Sequence, residues 1–195
     1  SGVVGDLVNT NRSIFLWMKA AGQVSGDNQV LIGINSSGTA TITNMMIRAD
    51  EKLDLYDGSN YQTTNTVVTD GAWHHVGYTY DETTNSTKTY IDGVKVDSYT
   101  NGQSISATDR ISLGQEFDGS SASNFFDGVM AEVTFWNEVL DTSDIALLME
   151  SSVQSTHPKY ANLKAYYPMV NNCNDDGFTV TDFSPSGYDG TASAN

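Results

Sequence analysis

The sequence predicts an all-β protein: an antiparallel β-sandwich or jelly roll with one short helix near 142–150. Three observations carry this. Short runs rich in Val, Ile, Thr, Tyr and Phe recur along the chain, separated by Gly, Asn, Asp and Ser. Helical periodicity occurs in one segment only, and one short helix in a field of strands implies sheets packed on each other rather than an α/β layer. Finally, 38% hydrophobic residues, with 10 Tyr, 7 Phe and 3 Trp, are enough to bury a core, so disorder is not the expectation. At 195 residues the chain fits a single domain spanning 1–195.

The elements follow in order. RSIFLWMKA (12–20), NQVLIGI (28–34) and TATITNMMI (39–47) open the series as β-rich runs. HHVGYTY (74–80), TKTYI (87–91) and VKVDSY (94–99) continue it, and the last two are joined by Asp92–Gly93, a pair that favours a tight hairpin because Gly accepts positive φ. DRISLG (109–114) and GVMAEVTFWN (128–137) come next. DTSDIALLME (141–150) reads as the helix, with Thr142 able to cap its start, Asp144 complementing the first turn, and Ile145 and Leu148 on one face. After Pro168 the tail shifts to Asn, Asp, Gly and Ser, yet LKAYYPM and FTVTDF alternate as strands, so residues 163–195 are expected to form a final strand pair with a polar connection.

Charge and isolated reactive residues narrow the function. Nine Lys and Arg against 24 Asp and Glu give a net charge of −15, which repels a phosphate backbone and argues against nucleic acid. No apolar run approaches a membrane span and no signal peptide opens the chain at Ser1, so membrane insertion is not expected and the chain reads as a mature piece or an excised module. Cys173 is alone and forms no internal disulfide. His74 and His75 are adjacent and point to opposite faces of a strand, which is poor geometry for a shared metal. His157 has no local partner, and no nucleophile, base and orienting acid are spaced as a triad. Glu132 and Glu138 are six apart, unlike the paired carboxylates of a glycoside hydrolase strand. Trp73 and Trp136 are expected in the core.

One loop carries a sharper signal. LGQEFDGSSASNFFDG (113–128) sets Glu116 and Asp118 two residues apart. Such a pair suits a solvated loop, and it also suits Ca²⁺, which collects six to eight oxygens. In an extended segment both acids fall on one side and the carbonyl between them can turn to the same ion. Upstream, SGDNQVLIGI places Asp27 and Asn28 before a hydrophobic strand, a pairing equally common in a plain turn.

The ordered motifs AWHHVGYTYDETTNSTKTYIDGVKV, ISLGQEFDG and FFDGVMAEVTFWNEVLDTSDIALL resemble the laminin-G-like and pentraxin group of concanavalin A-like jelly rolls, a group found in bacterial surface adhesins. The resemblance spans roughly residues 12–150. It implies two face-to-face sheets with calcium on one face, held by Asp27, Asn28, Glu116, the main-chain carbonyl of Phe117, and Asp118. Asn124 and Asp127 are candidate substitutes for the ligands of a second ion, Phe125 and Phe126 could pack on an apolar part of a ligand, and the four together are the expected ligand-binding residues. The chain also departs from the pattern. The loop from Asp118 to Gly128 is shorter than one that holds a second ion; Gly33 stands where choline-binding members have an aromatic; and Gly77 stands at one position of the family disulfide. The tail resembles the opening strands of bacterial laminin-G-like modules, which implies a circularly permuted strand pair over 163–195 or the start of a following unit.

The functional expectation is a calcium-dependent, non-catalytic adhesive module, extracellular or on a cell surface and part of a larger multidomain chain. Its ligand would be an oxygen-rich group, on a carboxylate-ended peptide or a glycan. A glycoside hydrolase or lyase on the same fold, or a spacer that calcium merely rigidifies, are the alternatives.

Overall fold

In the computed structural model, which describes residues 2–22, 27–36, 40–101, 105–169 and 177–193, a four-residue helix, α1 (Val3–Asp6), precedes the first strand, β1 (Arg12–Ala20). A meander follows: β2 (Gln29–Asn35), β3 (Thr41–Ile47), β4 (Lys52–Tyr56) and β5 (Tyr61–Val67). A second contains β6 (His74–Asp81), β7 (Ser86–Ile91) and β8 (Val94–Thr100). Then come β9 (Arg110–Leu113), the short pair β10 (Glu116–Asp118) and β11 (Ser121–Ser123), and the long β12 (Gly128–Trp136). Helix α2 (Thr142–Glu150) leads to β13 (Leu163–Tyr167) and a minimal pair, β14 (Thr179–Val180) and β15 (Gly190–Thr191).

The long strands form two antiparallel sheets. One has six strands in the order β13-β12-β1-β6-β7-β8 and the other five, β5-β4-β3-β2-β9. Alternation decides what lies between them: Ile14, Leu16 and Met18 of β1 meet Leu31, Met45, Ile47, Leu53 and Leu55 of the facing sheet, all essentially without exposure. Each such side chain contributes about 1.5–3 kcal/mol on burial. The intervening residues of the six-stranded sheet serve its other face. There Phe15, Tyr90 and Trp136 pack against Ile145 and Leu148 of α2. The helix therefore covers the outer face of the six-stranded sheet, and the outer face of the five-stranded sheet is left for other uses.

Local chemistry explains the boundaries. Asp92 (φ 49°) and Gly93 (φ 76°) are both left-handed, the backbone a two-residue hairpin needs to match strand twist. Helix α2 is capped one residue earlier than expected. Asp141, not Thr142, accepts from the Ser143 and Asp144 amides at 2.9 Å, and Asp144 accepts in return from the Asp141 amide at 3.2 Å. The capping residue must be extended, and Asp141 is (φ −86°, ψ 177°) while Thr142 is already helical. Trp136 is buried as expected, but Trp73 is 44% exposed, because it sits ahead of β6 in the turn region rather than on a paired strand. Of FTVTDF only Thr179–Val180 is strand. Cys173 lies outside the described residues.

Candidate functional site

Register across the five-stranded sheet builds one row on its outer face. Gly33 stands opposite Ser112 on one side and Asn44 on the other, Asn44 opposite Tyr56, and Tyr56 opposite Tyr61. Gly33 is the low point of that row. A Cβ there would lie 2.9 Å from the Gln115 carbonyl oxygen and 2.8 Å from Ser112 Oγ, so its absence lets the chain after β9 lie flat on the sheet. Ser112 Oγ donates to the Gln115 carbonyl at 2.7 Å, and the buried Asn35 side chain serves β10 as a substitute strand partner. Its Nδ2 donates to the Phe117 carbonyl at 3.1 Å and its Oδ1 accepts from the Phe117 amide at 3.4 Å. The other flank is pinned to the start of β2. Val30 N–H donates to the Asn124 carbonyl at 2.8 Å, and the Asp127 amide donates to Gln29 Oε1 at 2.9 Å. Asn124 (φ 51°) takes the left-handed conformation that Asn tolerates.

These constraints leave a hollow of about 190 Å³ lined by Asn28, Thr41, Asn44, Met46, Tyr56, Tyr61, Glu116, Asp118 and Asn124. Glu116 sits at its base, only 7% exposed. Asn124 Nδ2 donates to its Oε1; Asn44 Nδ2 and, at 3.3 Å, Thr41 Oγ1 donate to its Oε2. All of these donors are neutral, and no ion pair among the described residues involves Glu116. A buried carboxylate is costly unless it is paired or hydrogen-bonded, and Glu116 is hydrogen-bonded without a paired cation. Asn44 adds a second demand: it is 1% exposed, its Nδ2 is committed to Glu116, and its Oδ1 has no hydrogen-bond partner among the described residues. Asp118, exposed at the mouth, accepts from Ser123 Oγ at 3.3 Å. The hollow therefore carries two carboxylates, Glu116 at its base and Asp118 at its mouth.

Of the expected residues, Asn28, Glu116, Asp118 and Asn124 converge on this hollow, with Asn124 holding Glu116 rather than facing outward alone. Asp27 is exposed just before β2 and is not among the lining residues, and the described residues contain no group of three His, Cys, Asp or Glu arranged to hold a metal. The Phe117 carbonyl is engaged by Asn35. Phe125 is 39% exposed but does not line the hollow; Phe126 packs partly buried against the core; Asp127 is exposed beside them. Sequence reasoning missed Thr41, Asn44, Tyr56 and Tyr61. One local signal was available for Asn44, an amide amid the apolar run TITNMMI.

The far wall is aromatic. Tyr56 and Tyr61 lie with centroids 4.8 Å apart, tilted by 41°, and the Arg48 guanidinium caps the Tyr61 ring at 4.2 Å. Arg48 is held in turn 4.0 Å from Asp54, which also accepts from Thr63 and from the Gln62 backbone. Burial pushes the Asp54 carboxyl above its usual value despite Thr63 and Arg48. Between the two tyrosines, Asp57 Oδ1 accepts from the Ser59 and Asn60 amides at 2.9 and 2.7 Å, forming the turn that sets Tyr56 opposite Tyr61. On the opposite sheet, His75 is buried, stacked 5.3 Å from Phe15, and burial lowers its pKa to about 4. His74, bonded to Asp92 at 2.8 Å and Asp70 at 3.1 Å, is raised: burial opposes this, but the two carboxylates outweigh it.

Comparison with known proteins agrees with this architecture. The profile of the concanavalin A-like lectin/glucanases superfamily, laminin-G type, matches residues 4–146. The mouse sushi, von Willebrand factor type A, EGF and pentraxin domain-containing protein 1 is 32% identical over 105 residues, half of this chain; the matched region is 3% of that protein's length. Among solved structures, a Bacteroides ovatus protein provisionally assigned as carbohydrate binding superposes with a TM-score of 0.72 at 18% identity, over 93% of this chain and 52% of that one. The heptameric pentraxin of Limulus polyphemus superposes with a TM-score of 0.54 at 18% identity, over 70% of this chain and 68% of that one.

Proposed function

This chain belongs to the concanavalin A-like lectin/glucanases superfamily, and on that premise we propose that its hollow binds a glycan through a calcium ion. Asn28, Glu116 and Asp118 would hold the ion, with Asp27 and the Phe117 carbonyl as further donors close in sequence. The observation that carries the reading is Glu116, a buried carboxylate that meets only neutral donors in a hollow whose lining also includes Asp118. Hard oxygens around a carboxylate pair are the donor set calcium takes. When bound, calcium supplies a positive centre on which vicinal hydroxyls or a carboxylate can be held. The chain's own residues do the rest: Asn44, Asn124 and Thr41 fix the carboxylate of Glu116, Asn35 and Gly33 seat its strand, and the neutral acceptors orient hydroxyls.

A glycan is favoured over a carboxylate-ended peptide because the amide and hydroxyl side chains of Asn28, Tyr56 and Tyr61 in the lining can exchange hydrogen bonds with sugar hydroxyls. The carbohydrate-binding assignment of the Bacteroides ovatus protein points the same way. A non-catalytic role is supported by Glu116 itself, whose two oxygens are both held by side-chain donors, leaving it poorly placed to pass a proton to a leaving group. No helix among the described residues is long and apolar enough to cross a membrane. We place the module outside the cell, as one part of a longer adhesive chain. Glycan arrays run in calcium and again in chelator test the reading: calcium-dependent retention supports it, and retention unchanged by chelator or by Asp118→Ala overturns it.

A further inference from the structure

We propose that Tyr56 and Tyr61 form a second, ring-stacking subsite beside the acidic hollow, so that the ligand is an oligosaccharide whose neighbouring pyranose lies on the tyrosine face. The inference rests on the calcium-dependent glycan reading and extends it to the size of the ligand. Volume comes first. The hollow holds about 190 Å³, less than the roughly 300–1,000 Å³ typical of a cleft that engulfs a small molecule. It accommodates one sugar-sized group, and the remainder of any larger ligand must rest on what borders it.

What borders it is a pre-set aromatic surface. The register Asn44, Tyr56, Tyr61 spans three adjacent strands, and two strand spacings amount to roughly 10 Å, farther than one pyranose ring reaches. Tyr61 lines the hollow and remains 50% exposed, so part of its ring is open to a ligand. It is not loose: Arg48 covers one side of the ring at 4.2 Å, Tyr56 leans on it at 4.8 Å, and the Asp57 turn fixes both. A rigid aromatic offers contact area to the C–H face of a sugar with little ordering entropy. The acceptors of the hollow would take hydroxyls from one ring while the tyrosines take the apolar face of the next.

The test uses mono-, di- and trisaccharides of galactose and of N-acetylglucosamine, immobilised and probed in calcium with the wild-type chain, Tyr61→Ala and Tyr61→Phe. The calcium-induced melting shift of each protein is measured separately, without sugar. At least one series should bind the wild type about tenfold more tightly as trisaccharide than as monosaccharide. Tyr61→Ala should lose that gain while keeping the calcium-induced melting shift, and Tyr61→Phe should keep the gain because the ring and not the hydroxyl does the stacking. Equal affinity for mono- and trisaccharide, a full gain in Tyr61→Ala, or no retention of either series by the wild type overturns the subsite. The calcium reading stands or falls independently on the sugar-free melting shift.

Discussion

Replacing Gly33 by Ala probes the site without touching any proposed ligand. The added Cβ would stand 2.9 Å from the Gln115 carbonyl oxygen, against an ordinary contact of 3.4 Å or more, so the backbone ahead of Glu116 must retreat by about 0.5 Å. Ser112 Oγ, 2.8 Å away, can rotate, but only by giving up its bond to the same carbonyl. No left-handed backbone complicates the change, since Gly33 is absent from the positive-φ glycines. Overpacking of this kind costs about 1–3 kcal/mol, and in a domain of this size each kcal/mol lowers the melting temperature by about 2–4 °C. Binding constellations tolerate displacements of only about 0.5 Å, so calcium affinity, read by titration calorimetry, should fall at least about tenfold, or 1.4 kcal/mol. Melting in chelator gives the structural cost separately. A Gly33→Ala protein that is destabilised in chelator yet binds calcium with wild-type affinity would refute the idea that this close approach positions Glu116.

Other outcomes follow from the same geometry. Calcium should raise the melting temperature of the wild type, by about 2.7 kcal/mol of stability at a hundredfold excess over Kd, and Asp118→Ala should abolish most of that rise; identical curves with and without chelator would remove calcium from the account. His75 titrates near 4 when folded and 6.5 when free; the folded state binds fewer protons in that window, so stability is full above pH 6.5 and declines by about 3 kcal/mol as pH falls to 4. Urea unfolding at both pH values should show that decline shrinking in His75→Phe. His74 has the opposite sign, because its folded pKa is raised: its contribution is complete below 6.5 and disappears as pH rises through the folded value. His74→Gln should therefore be more costly at pH 6 than at pH 9. Asp141→Ala, which removes both acceptor bonds of the α2 cap, should cost about 1 kcal/mol in thermal unfolding.

Local pattern in the sequence determined much of the fold. The short β-rich apolar runs RSIFLWMKA and GVMAEVTFWN are a property of adjacent residues, and both segments are strands at nearly the predicted bounds, as is the helix over 142–150. The pairing of Glu116 and Asp118 on one side of an extended segment was legible for the same reason. Strands β4 and β5 were not: KLDLY alternates but is only five residues long with two of them charged, and YQTTNTV is a polar edge strand with one buried position, so neither stands out as an apolar run. Tyr56 and Tyr61 went unseen with them. The partners of Glu116 lay further out of reach, since Asn44 is 72 residues away and meets it only because β2 and β3 pair in one register and Gly33 lets β10 descend onto them. A one-residue slip would turn Asn44 into the core and Met45 out to the hollow, and nothing within either strand alone forbids it. That choice is made by the sum of packing across two sheets, where burying Met45, Ile47, Leu53 and Leu55 together outweighs every competing register. The site is therefore a consequence of long-range pairing, which tertiary structure alone decides.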